Sequence, residues 1–376
     1  MKGWPVARKQ KAAVQSLVHV DRAAGELRRT MPVVVLHQDG PLLVAAAETA
    51  TPALLDRMRA LTGVDPVLAI TDKRASVLHV NPTGDDVLLI RIDRHLREEG
   101  LDVVVDPADD LENPLKGPFR KTGDKPTATH RAAIALAKVA RLLPAAVTAP
   151  LESDDPSKWA RDHDLLSVSA VDVIGYERDA GLALTRVASA RVPLAGAENT
   201  RIVAFRPAAG GIEHLAILIG DPNRHEPVLA RIHSECFTGD LLGSLKCDCG
   251  DQLRGAIAAI AKAGGGVVLY LAQEGRGIGL INKLRAYSLQ DQGFDTVDAN
   301  ERLGFLSDER LFEPAAQMLR ELGFAAVRLM TNNPDKVAGL EACNIKVVER
   351  VPHAFPSNTH NEGYLATKKK RSGHYL

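Results

Sequence analysis

The sequence predicts an α/β (α+β) fold of two domains, each a mixed sheet with packed helices. Short β-branched runs alternate with amphipathic segments along the chain, which is the pattern of strands and helices packed in layers. At 376 residues the chain is too long for one small core, and its 45% hydrophobic and 25% charged content is that of an ordinary globular protein. We expect a basic tail over residues 1–12, a first domain over 13–180 and a second over 184–376.

The first half supplies the elements of the first domain. Residues 13–29 carry apolar side chains at helical spacing, and an Ala-rich helix is predicted over 127–143. Thr51 followed by Pro52 predicts the N-cap and first turn of another helix. Short aliphatic runs predict strands at 32–36, 42–44, 87–90 and 103–105. The stretch from 144 to about 180 carries several prolines and mixed charge, and we place the domain boundary near its end.

The second half continues the alternation. Strands at 201–205 and 214–219 flank a turn in which Gly210 and Gly211 can take positive φ. Further strands are predicted at 228–232, 267–271, 327–330 and 345–348, and helices at 252–263, 281–292 and 314–322.

Charge and composition exclude several classes of protein. Lys+Arg and Asp+Glu both total 47, so no basic excess favours nucleic acid or an anionic membrane. No apolar run reaches the roughly 18–20 residues that span a bilayer, and residues 1–5 are basic without the apolar core of a secretory signal. Three of the four cysteines cluster, which indicates metal ligands in a reducing compartment. We therefore expect a cytoplasmic protein.

The cysteine cluster predicts a catalytic zinc site. Cys236, Cys247 and Cys249 have the spacing Cys-x10-Cys-x-Cys, and three protein ligands leave a fourth zinc position open for water. Two alternatives remain: a closed structural zinc that adds His233, or three buried cysteines without metal. The polar neighbours Lys246 and Asp248 disfavour the last.

A Gly-rich loop follows, over residues 273–279 after a predicted strand. Its backbone N–H groups could hold an anion with help from Arg276, although a tight turn is an equal alternative. By themselves, Asp308 and Arg310 indicate the start of a helix with exposed charges, and Lys336, which follows a turn, has the same ordinary interpretation. Tyr287 by itself indicates a partly buried aromatic residue on a helix.

Together these segments closely resemble GTP cyclohydrolase II, over about half the chain from residue 184 to 376. The resemblance rests on Arg231-Ile232-His233-Ser234-Glu235-Cys236, Ser244-Leu245-Lys246-Cys247-Asp248-Cys249-Gly250, Gln273-Glu274-Gly275-Arg276-Gly277-Ile278-Gly279, Lys283-Leu284-Arg285-Ala286-Tyr287, Asp308-Glu309-Arg310, and Thr331-Asn332-Asn333-Pro334 with Lys336. So many motifs in one order are specific.

The resemblance implies hydrolysis of GTP with one zinc ion on the three cysteines. Zinc-activated water would attack C8 of guanine, and that carbon would leave as formate. Tyr287 would assist at the ring, Asp308 would accept a proton, and Arg310 would attack the α-phosphate with loss of pyrophosphate. The pKa of a guanidinium lies above about 12, so Arg310 stays protonated and is a poor nucleophile. Clamping of the α-phosphate is therefore an equal alternative for Arg310.

The resemblance also implies a nucleotide-binding set, a Mg²⁺ ion on the triphosphate and a homodimer, with no nucleic acid or membrane as partner. The binding set comprises Arg231, Ile232, His233, Ser234, Glu235, Gln252, Glu274, Gly275, Arg276, Thr296, Thr331 and Lys336. Two departures from the family pattern, Ala272 and residues 192–196, leave nucleotide preference open.

The first half resembles 3,4-dihydroxy-2-butanone 4-phosphate synthase at residues 44–52. That enzyme needs a dense acidic run just before this point, where residues 36–42 offer only Asp39. Its Gly-His-Thr-Glu segment is also missing, and Asp162-His163-Asp164 is the nearest match. We therefore expect the synthase fold without its chemistry.

Two other functions remain open. One is a related zinc hydrolase that acts on another nucleotide or base, for example in pyrimidine breakdown. The other is a non-catalytic zinc module that binds nucleic acid, which the single cysteine cluster and zero net charge disfavour.

Overall fold

The computed structural model describes residues 4–80, 84–114, 116–356, 370, 371 and 373. Its helices and strands are, in chain order, α1 (Trp4–Arg28), β1 (Val33–Leu36), β2 (Leu42–Ala46), α2 (Pro52–Thr62), β3 (Val67–Thr71), α3 (Asp72–Val77), β4 (Val87–Arg91), α4 (Arg94–Glu99), α5 (Asp102–Val105), α6 (Ala128–Val139), β5 (Ala145–Pro150), α7 (Pro156–Asp162), β6 (Ser167–Ser169), α8 (Ala170–Leu182), β7 (Leu184–Arg191), β8 (Thr200–Pro207), β9 (His214–Gly220), β10 (Val228–Ser234), α9 (Cys249–Lys262), β11 (Gly265–Leu271), α10 (Leu280–Asp291), α11 (Thr296–Arg302), α12 (Glu313–Leu322), β12 (Ala326–Met330), α13 (Pro334–Ala342) and β13 (Lys346–Val351).

The chain divides into two compact units. The first comprises Met1–Glu177 and Ile281–Asp308, and the second comprises Arg178–Leu280 and Glu309–Leu376. The short segment Ile281–Asp308 therefore joins the first unit although it is flanked on both sides by the second.

The first unit is built on a mixed sheet. Within the described residues six strands follow the order β4-β3-β5-β2-β1-β6, with β1 and β6 parallel and the other pairs antiparallel. Strand β1 reads Val-Val-Val-Leu and strand β2 is buried along its whole length, as expected for strands covered by helices. Helices α1 and α6 pack their alanines, valines and leucines against this sheet.

The second unit is built on a larger mixed sheet. Among the described residues seven strands follow the order β13-β12-β10-β11-β9-β8-β7, and β13, β12, β10 and β11 run parallel to one another. Helices α12 and α13 pack on one core, and α9 packs on a second core. Both units confirm the predicted α/β class with mixed sheets and packed helices.

Several element predictions are confirmed and others are wrong. Thr51 caps α2 by accepting the Leu54 N–H at 3.3 Å, as predicted. Residues 103–105 form part of helix α5, not a strand, because their turn buries Val104 and Val105 and Arg74 Nε meets the Val104 carbonyl at 2.6 Å. Residues 4–12, predicted as a loose tail, are helical from Trp4. Lysine, alanine and arginine favour a helix there, and Pro5 lies in the first turn, where proline is tolerated.

Strands β3, β5, β6 and β7 have no counterpart among the sequence predictions. Strand β5 lies between β3 and β2 in the sheet, inside the proline-bearing stretch that precedes the predicted boundary. Within the described residues, no helix has both the length and the apolar content required to cross a membrane.

We predict that Leu269→Ala destabilises the second unit by about 2–5 kcal/mol, because Leu269 is fully buried in β11 and the truncation leaves a cavity. Denaturant unfolding measures the loss. The matched control is Val348→Ala, at a side chain that is 43% exposed on β13. Equal effects of the two substitutions would contradict the assigned core.

Candidate active site

The predicted site residues of the second unit gather where three neighbouring parallel strands end. Strand β10 pairs with β11 on one side and with β12 on the other. Loops that leave the carboxyl ends of parallel strands meet at one edge of the sheet, where open α/β sheets bind ligands. Arg231, Ile232, His233 and Ser234 are the last residues of β10, and Glu235 and Cys236 follow that strand. Glu274, Gly275 and Arg276 follow β11, and Thr331 follows β12.

The three cysteines converge beside the end of β10. Cys236 caps a π-helical turn over Phe237–Leu241, Cys249 begins α9, and Cys247 lies in the loop between them. The three sulfur atoms lie within 4.8 Å of one another, and those of Cys236 and Cys247 are 3.7 Å apart. Gly239 permits this approach, because a Cβ atom there would lie 2.8 Å from the Cys247 sulfur and 3.0 Å from the Cys236 sulfur.

The three cysteines together have the chemistry of a zinc site. Thiolates at about 2.3 Å from a tetrahedral zinc lie about 3.8 Å apart, close to the separation of Cys236 and Cys247. The neighbouring Cys236 thiol, with burial, raises the pKa of Cys247 to about 11, and the two other thiols raise the pKa of Cys249. Three thiols this close, two of them buried, ionise together only with a cation, so the residues fit a thiolate-binding metal. Within the described residues, no other group of three or more His, Cys, Asp or Glu side chains converges in this way.

Asp240 ties the cysteine loop to strands β10 and β11. Its carboxylate accepts hydrogen bonds from His233 Nε2 at 3.0 Å, from the Tyr270 hydroxyl at 2.9 Å and from the Cys236 N–H at 3.0 Å. Burial lowers the pKa of His233, although Asp240 opposes the shift. The imidazole is therefore neutral near pH 7 and donates from Nε2, which fixes its tautomer and its ring orientation.

Arg231 is a buried cation at this strand end. Its Nη1 donates to the Met330 carbonyl at 2.8 Å, and its Nη2 donates to the Gln252 side chain, which itself donates to Asp248. Burial lowers the pKa of Arg231 to about 10, Asp248 opposes the shift, and the charge of Arg310 adds to it. The guanidinium stays charged at neutral pH. Its Nε is buried and finds no hydrogen-bond partner in the described part of the chain.

Two more buried polar atoms of the second unit lack a partner among the described residues, Ser234 Oγ and Gln273 Oε1. Gln273 donates from Nε2 to the Leu311 carbonyl at 2.8 Å, which leaves its carbonyl oxygen for another donor. Buried polar atoms are nearly always paired. With Arg231 Nε, these groups are an N–H, a hydroxyl and an acceptor oxygen for which the described residues supply no partner.

The Gly-rich loop after β11 is held to its neighbours on both sides. Glu274 accepts the Phe237 N–H at 2.6 Å and the Gly275 N–H at 3.0 Å, so its carboxylate fixes the cysteine loop. Gly275 and Arg276 have φ values of 64° and 61°, in the left-handed region that favours glycine. The Arg276 carbonyl then accepts the Glu309 N–H at 3.0 Å. The loop is therefore a turn built to hold neighbouring segments in place.

Other predicted binding residues also make contacts within the protein. The side chain of Ile232 lies in the core, and its carbonyl accepts Lys336 Nζ at 2.8 Å. The Thr331 hydroxyl accepts the Asn333 N–H at 3.0 Å, and the Glu235 N–H donates to the Leu271 carbonyl at 2.8 Å. These bonds fix the backbone around the strand ends.

Three predicted residues belong to the first unit. Tyr287 is half-buried on α10, with Lys283 Nζ 5.5 Å from its ring centroid. Thr296 is the first residue of α11, and its hydroxyl accepts Gln290 Nε2 at 3.2 Å. Asp308 is the last residue of the segment Ile281–Asp308 and is half-buried.

The comparison with known proteins agrees with these motifs. The family model for GTP cyclohydrolase II matches residues 185–352. GTP cyclohydrolase-2 from Azospirillum brasilense is 55% identical over 358 residues, which cover 94% of this chain and 93% of the relative. The chain belongs to the GTP cyclohydrolase II family. The predicted enzyme class is thereby confirmed, and with it the family's place at the first step of riboflavin biosynthesis.

The relatives extend over the first half of the chain as well. Riboflavin biosynthesis protein RibBA from Synechocystis sp. is 38% identical over 397 residues, 95% of this chain and 71% of the relative. RibBA from Bacillus cereus is 44% identical over 253 residues, 65% of this chain and 64% of the relative. The family member described here therefore carries an N-terminal domain like that of 3,4-dihydroxy-2-butanone 4-phosphate synthase, as the resemblance predicted.

Among solved structures, RibBX from A. baumannii, a two-domain 3,4-dihydroxy-2-butanone 4-phosphate synthase, covers 89% of this chain and 99% of its own. Its TM-score is 0.36 and its sequence identity 17%. A likeness this weak does not bear on the activity.

Sequence reasoning missed Asp240 and Gln273. Asp240 is a lone carboxylate between the two cysteine motifs, and only the folded π-helical turn brings it to His233. Gln273 is the first residue of a quoted motif, but no role was predicted for it, because its unpaired oxygen follows from burial, which the sequence does not report.

We predict that Asp240→Asn destabilises the second unit by about 1–3 kcal/mol. Three donors converge on the carboxylate, and an amide must turn its own donor toward at least one of them. Denaturant unfolding measures the change. The control is Asp251→Asn, which removes an exposed ion pair with Arg254 at 3.0 Å. A loss for Asp240→Asn no larger than that of the control would contradict the bonding role.

Proposed function

We propose that the chain opens the imidazole ring of GTP at C8, with zinc on Cys236, Cys247 and Cys249, and releases formate and pyrophosphate. The product is a diamino-ribosylamino-pyrimidinone phosphate. The observation that carries the proposal is the convergence of three thiols within 4.8 Å. It occurs in a member of the GTP cyclohydrolase II family.

The residues present support this chemistry at the base. When bound there, zinc supplies a Lewis acid that activates water for attack on a base carbon. Asp240 orients the neutral His233 ring beside the cysteine loop. Arg231, Ser234 and Gln273 each have a buried polar atom without a hydrogen-bond partner among the described residues. We assign the base and sugar of GTP to these atoms.

The phosphate end is assigned to the cations. Arg310 lies close enough to Arg231 for its charge to lower the Arg231 pKa, and two guanidiniums in mutual reach favour an anionic ligand. We assign Arg310 either to attack on the α-phosphate or to clamping it. Lys336 sets the backbone of β10 through the Ile232 carbonyl, and Arg276 lies in the Gly-rich loop. A Mg²⁺ ion on the triphosphate completes the proposal.

The remaining roles follow the family motifs. Tyr287 assists at the ring, Asp308 accepts a proton, and Thr296 contacts the nucleotide. We also propose a cytoplasmic homodimer that takes no nucleic acid or membrane as partner, and a division of the chain into domains at 13–180 and 184–376.

The N-terminal domain is proposed to lack synthase activity. Asp39, the single carboxylate where the synthase needs an acidic run, accepts the Ala128 N–H at 3.3 Å and so contacts the start of α6. Asp162 pairs with Lys158 at 2.8 Å, and His163 stacks on Trp159 at 4.0 Å between ring centroids. These exposed groups are engaged locally on α7.

A second candidate is a zinc hydrolase for another nucleotide or base. Ala272, one of the two departures from the family pattern, has no charged side chain, and its N–H donates to His214 Nδ1 at 3.1 Å. This candidate assumes that the departure alters which nucleotide is held.

We predict that the purified protein releases equal amounts of formate and pyrophosphate from GTP when Mg²⁺ and zinc are present. Formate without pyrophosphate would overturn the assigned coupling. Turnover of another nucleotide in place of GTP would favour the second candidate.

We predict that Cys247→Ser loses bound zinc and formate release together, because two thiolates hold zinc far less tightly than three.

The matched control for that substitution is Cys343→Ser. This cysteine is partly buried and packs against the core that α12 and α13 cover. It should keep full zinc content and activity. Full activity of metal-depleted Cys247→Ser would refute the zinc role.

For the N-terminal domain we predict no butanone phosphate from ribulose 5-phosphate, with or without Mg²⁺. The single carboxylate at Asp39 cannot assemble the acidic metal site that this chemistry requires. Product formation measured by phosphate-ester chromatography would contradict the prediction.

A further inference from the structure

The segment Ile281–Asp308 is part of the family match, yet it packs with the N-terminal half of the chain. The match to GTP cyclohydrolase II runs through residues 185–352 and so contains this segment. By its contacts the segment belongs to the first unit, together with the synthase-like residues Met1–Glu177. Three groups of contacts hold it there.

The first contact anchors helix α10 through Arg285. Its Nη2 lies 2.8 Å from Glu48 Oε1, and its Nε lies 3.3 Å from Asp106 Oδ2. The other oxygen of Glu48 accepts the Leu143 N–H at 2.6 Å, which fixes the carboxylate. The side chains of Arg285 and Glu48 are mostly buried, at 23% and 17% exposure, so solvent ions screen this pair less than a surface ion pair. Arg285 lies two residues before Tyr287 on the same helix.

The second contact anchors the turn after α11. The hydroxyl of Thr71, buried at the end of β3, donates to the Gly304 carbonyl at 2.9 Å. Gly304 has a φ of +84°, and a Cβ atom there would lie 2.9 Å from the Thr71 hydroxyl and 3.0 Å from Pro144 Cγ. Phe305, next in the chain, is 2% exposed. The backbone of the segment is thus in direct contact with the synthase-like sheet.

The third contact is a buried ion cluster around Asp110. The carboxylate pairs with Arg74 and with Lys116, the latter at 2.9 Å, and Arg302 of α11 lies 3.4 Å away. Arg302 also stacks on the Phe294 ring, 3.8 Å from its centroid. Removing the Asp110 carboxylate would leave three cations without their shared counter-charge, and the contact with Arg302 connects this cluster to α11.

We propose that the N-terminal domain is a positioning scaffold for the cyclohydrolase reaction, and that Glu48 is a positioning residue that acts through Arg285. The inference rests on the proposed function, because it uses the roles assigned to Tyr287 and Asp308. A displacement of about 1 Å of a reacting group can cost about 10²-fold in rate. The loss of synthase chemistry therefore does not make the domain dispensable.

The test compares full-length Glu48→Gln with wild type. Glutamine keeps an acceptor for the Leu143 N–H but removes the charge that faces Arg285. We expect kcat for formate release to fall about tenfold, with zinc content and thermal unfolding temperature unchanged. Hydrogen exchange should accelerate in peptides from residues 281–308 and stay unchanged in peptides from 236–250.

Two further variants isolate the pair. Asp65→Asn, which removes an exposed ion pair with Arg59 in the same domain, should match wild type in every measurement. Arg285→Gln should resemble Glu48→Gln, and the double variant should lose no more activity than the worse single variant, since both act through one contact. Additive losses would overturn the positioning role of the pair.

The exchange measurement needs no substrate and separates the two proposals. Wild type that fails to act on GTP refutes the proposed function, while faster exchange in Glu48→Gln would still support the anchoring. Unchanged exchange together with a kcat within about twofold of wild type would overturn the scaffold proposal. A fall in zinc content that accounts for the lost activity would also overturn it, because the effect would then not be local to the segment.

Discussion

The site of the second unit depends on the carboxylate of Asp240. One side chain accepts hydrogen bonds from a residue of β10, from a residue of β11 and from the backbone of the first cysteine. Asp240 thereby connects the ends of the parallel strands β10 and β11 to the cysteine loop. Glu274 adds a second carboxylate that accepts the next backbone N–H of the same loop. These bonds hold the backbone at Cys236 and Phe237 in place, and Gly239 leaves the space beside the cysteine sulfurs free of a side chain.

The fold class and the cysteines could be predicted from the sequence because their signals are local. A Cys-x10-Cys-x-Cys pattern and a Thr-Pro cap are visible in a few residues, and the structure brings the three cysteines together and uses Thr51 as the cap of α2. Residues 103–105 show the limit of local signals. Their β-branched composition favours a strand, but burial and the contact from Arg74 to a helical carbonyl decide for α5. Tertiary contacts outweighed propensity there.

Asp240 and Gln273 were beyond local patterns for a related reason. Each gains its role from partners that the fold supplies: Tyr270, 30 residues away, for the first and Leu311, 38 residues away, for the second. Lys336 gives the opposite lesson. Its motif indicates a phosphate ligand, while its ammonium group donates to a strand carbonyl, so one lysine sets the backbone geometry on which the neighbouring polar groups depend.

The path of the chain around Ile281–Asp308 constrains how such a protein can change over generations. Glu48, Thr71 and Arg74 contact the segment that the family match includes. A substitution at any of these three positions would therefore also disturb a segment of the cyclohydrolase motif. The residues of the N-terminal domain that contact α10 and α11 are thus constrained by two parts of the chain at once, whatever the rest of that domain does.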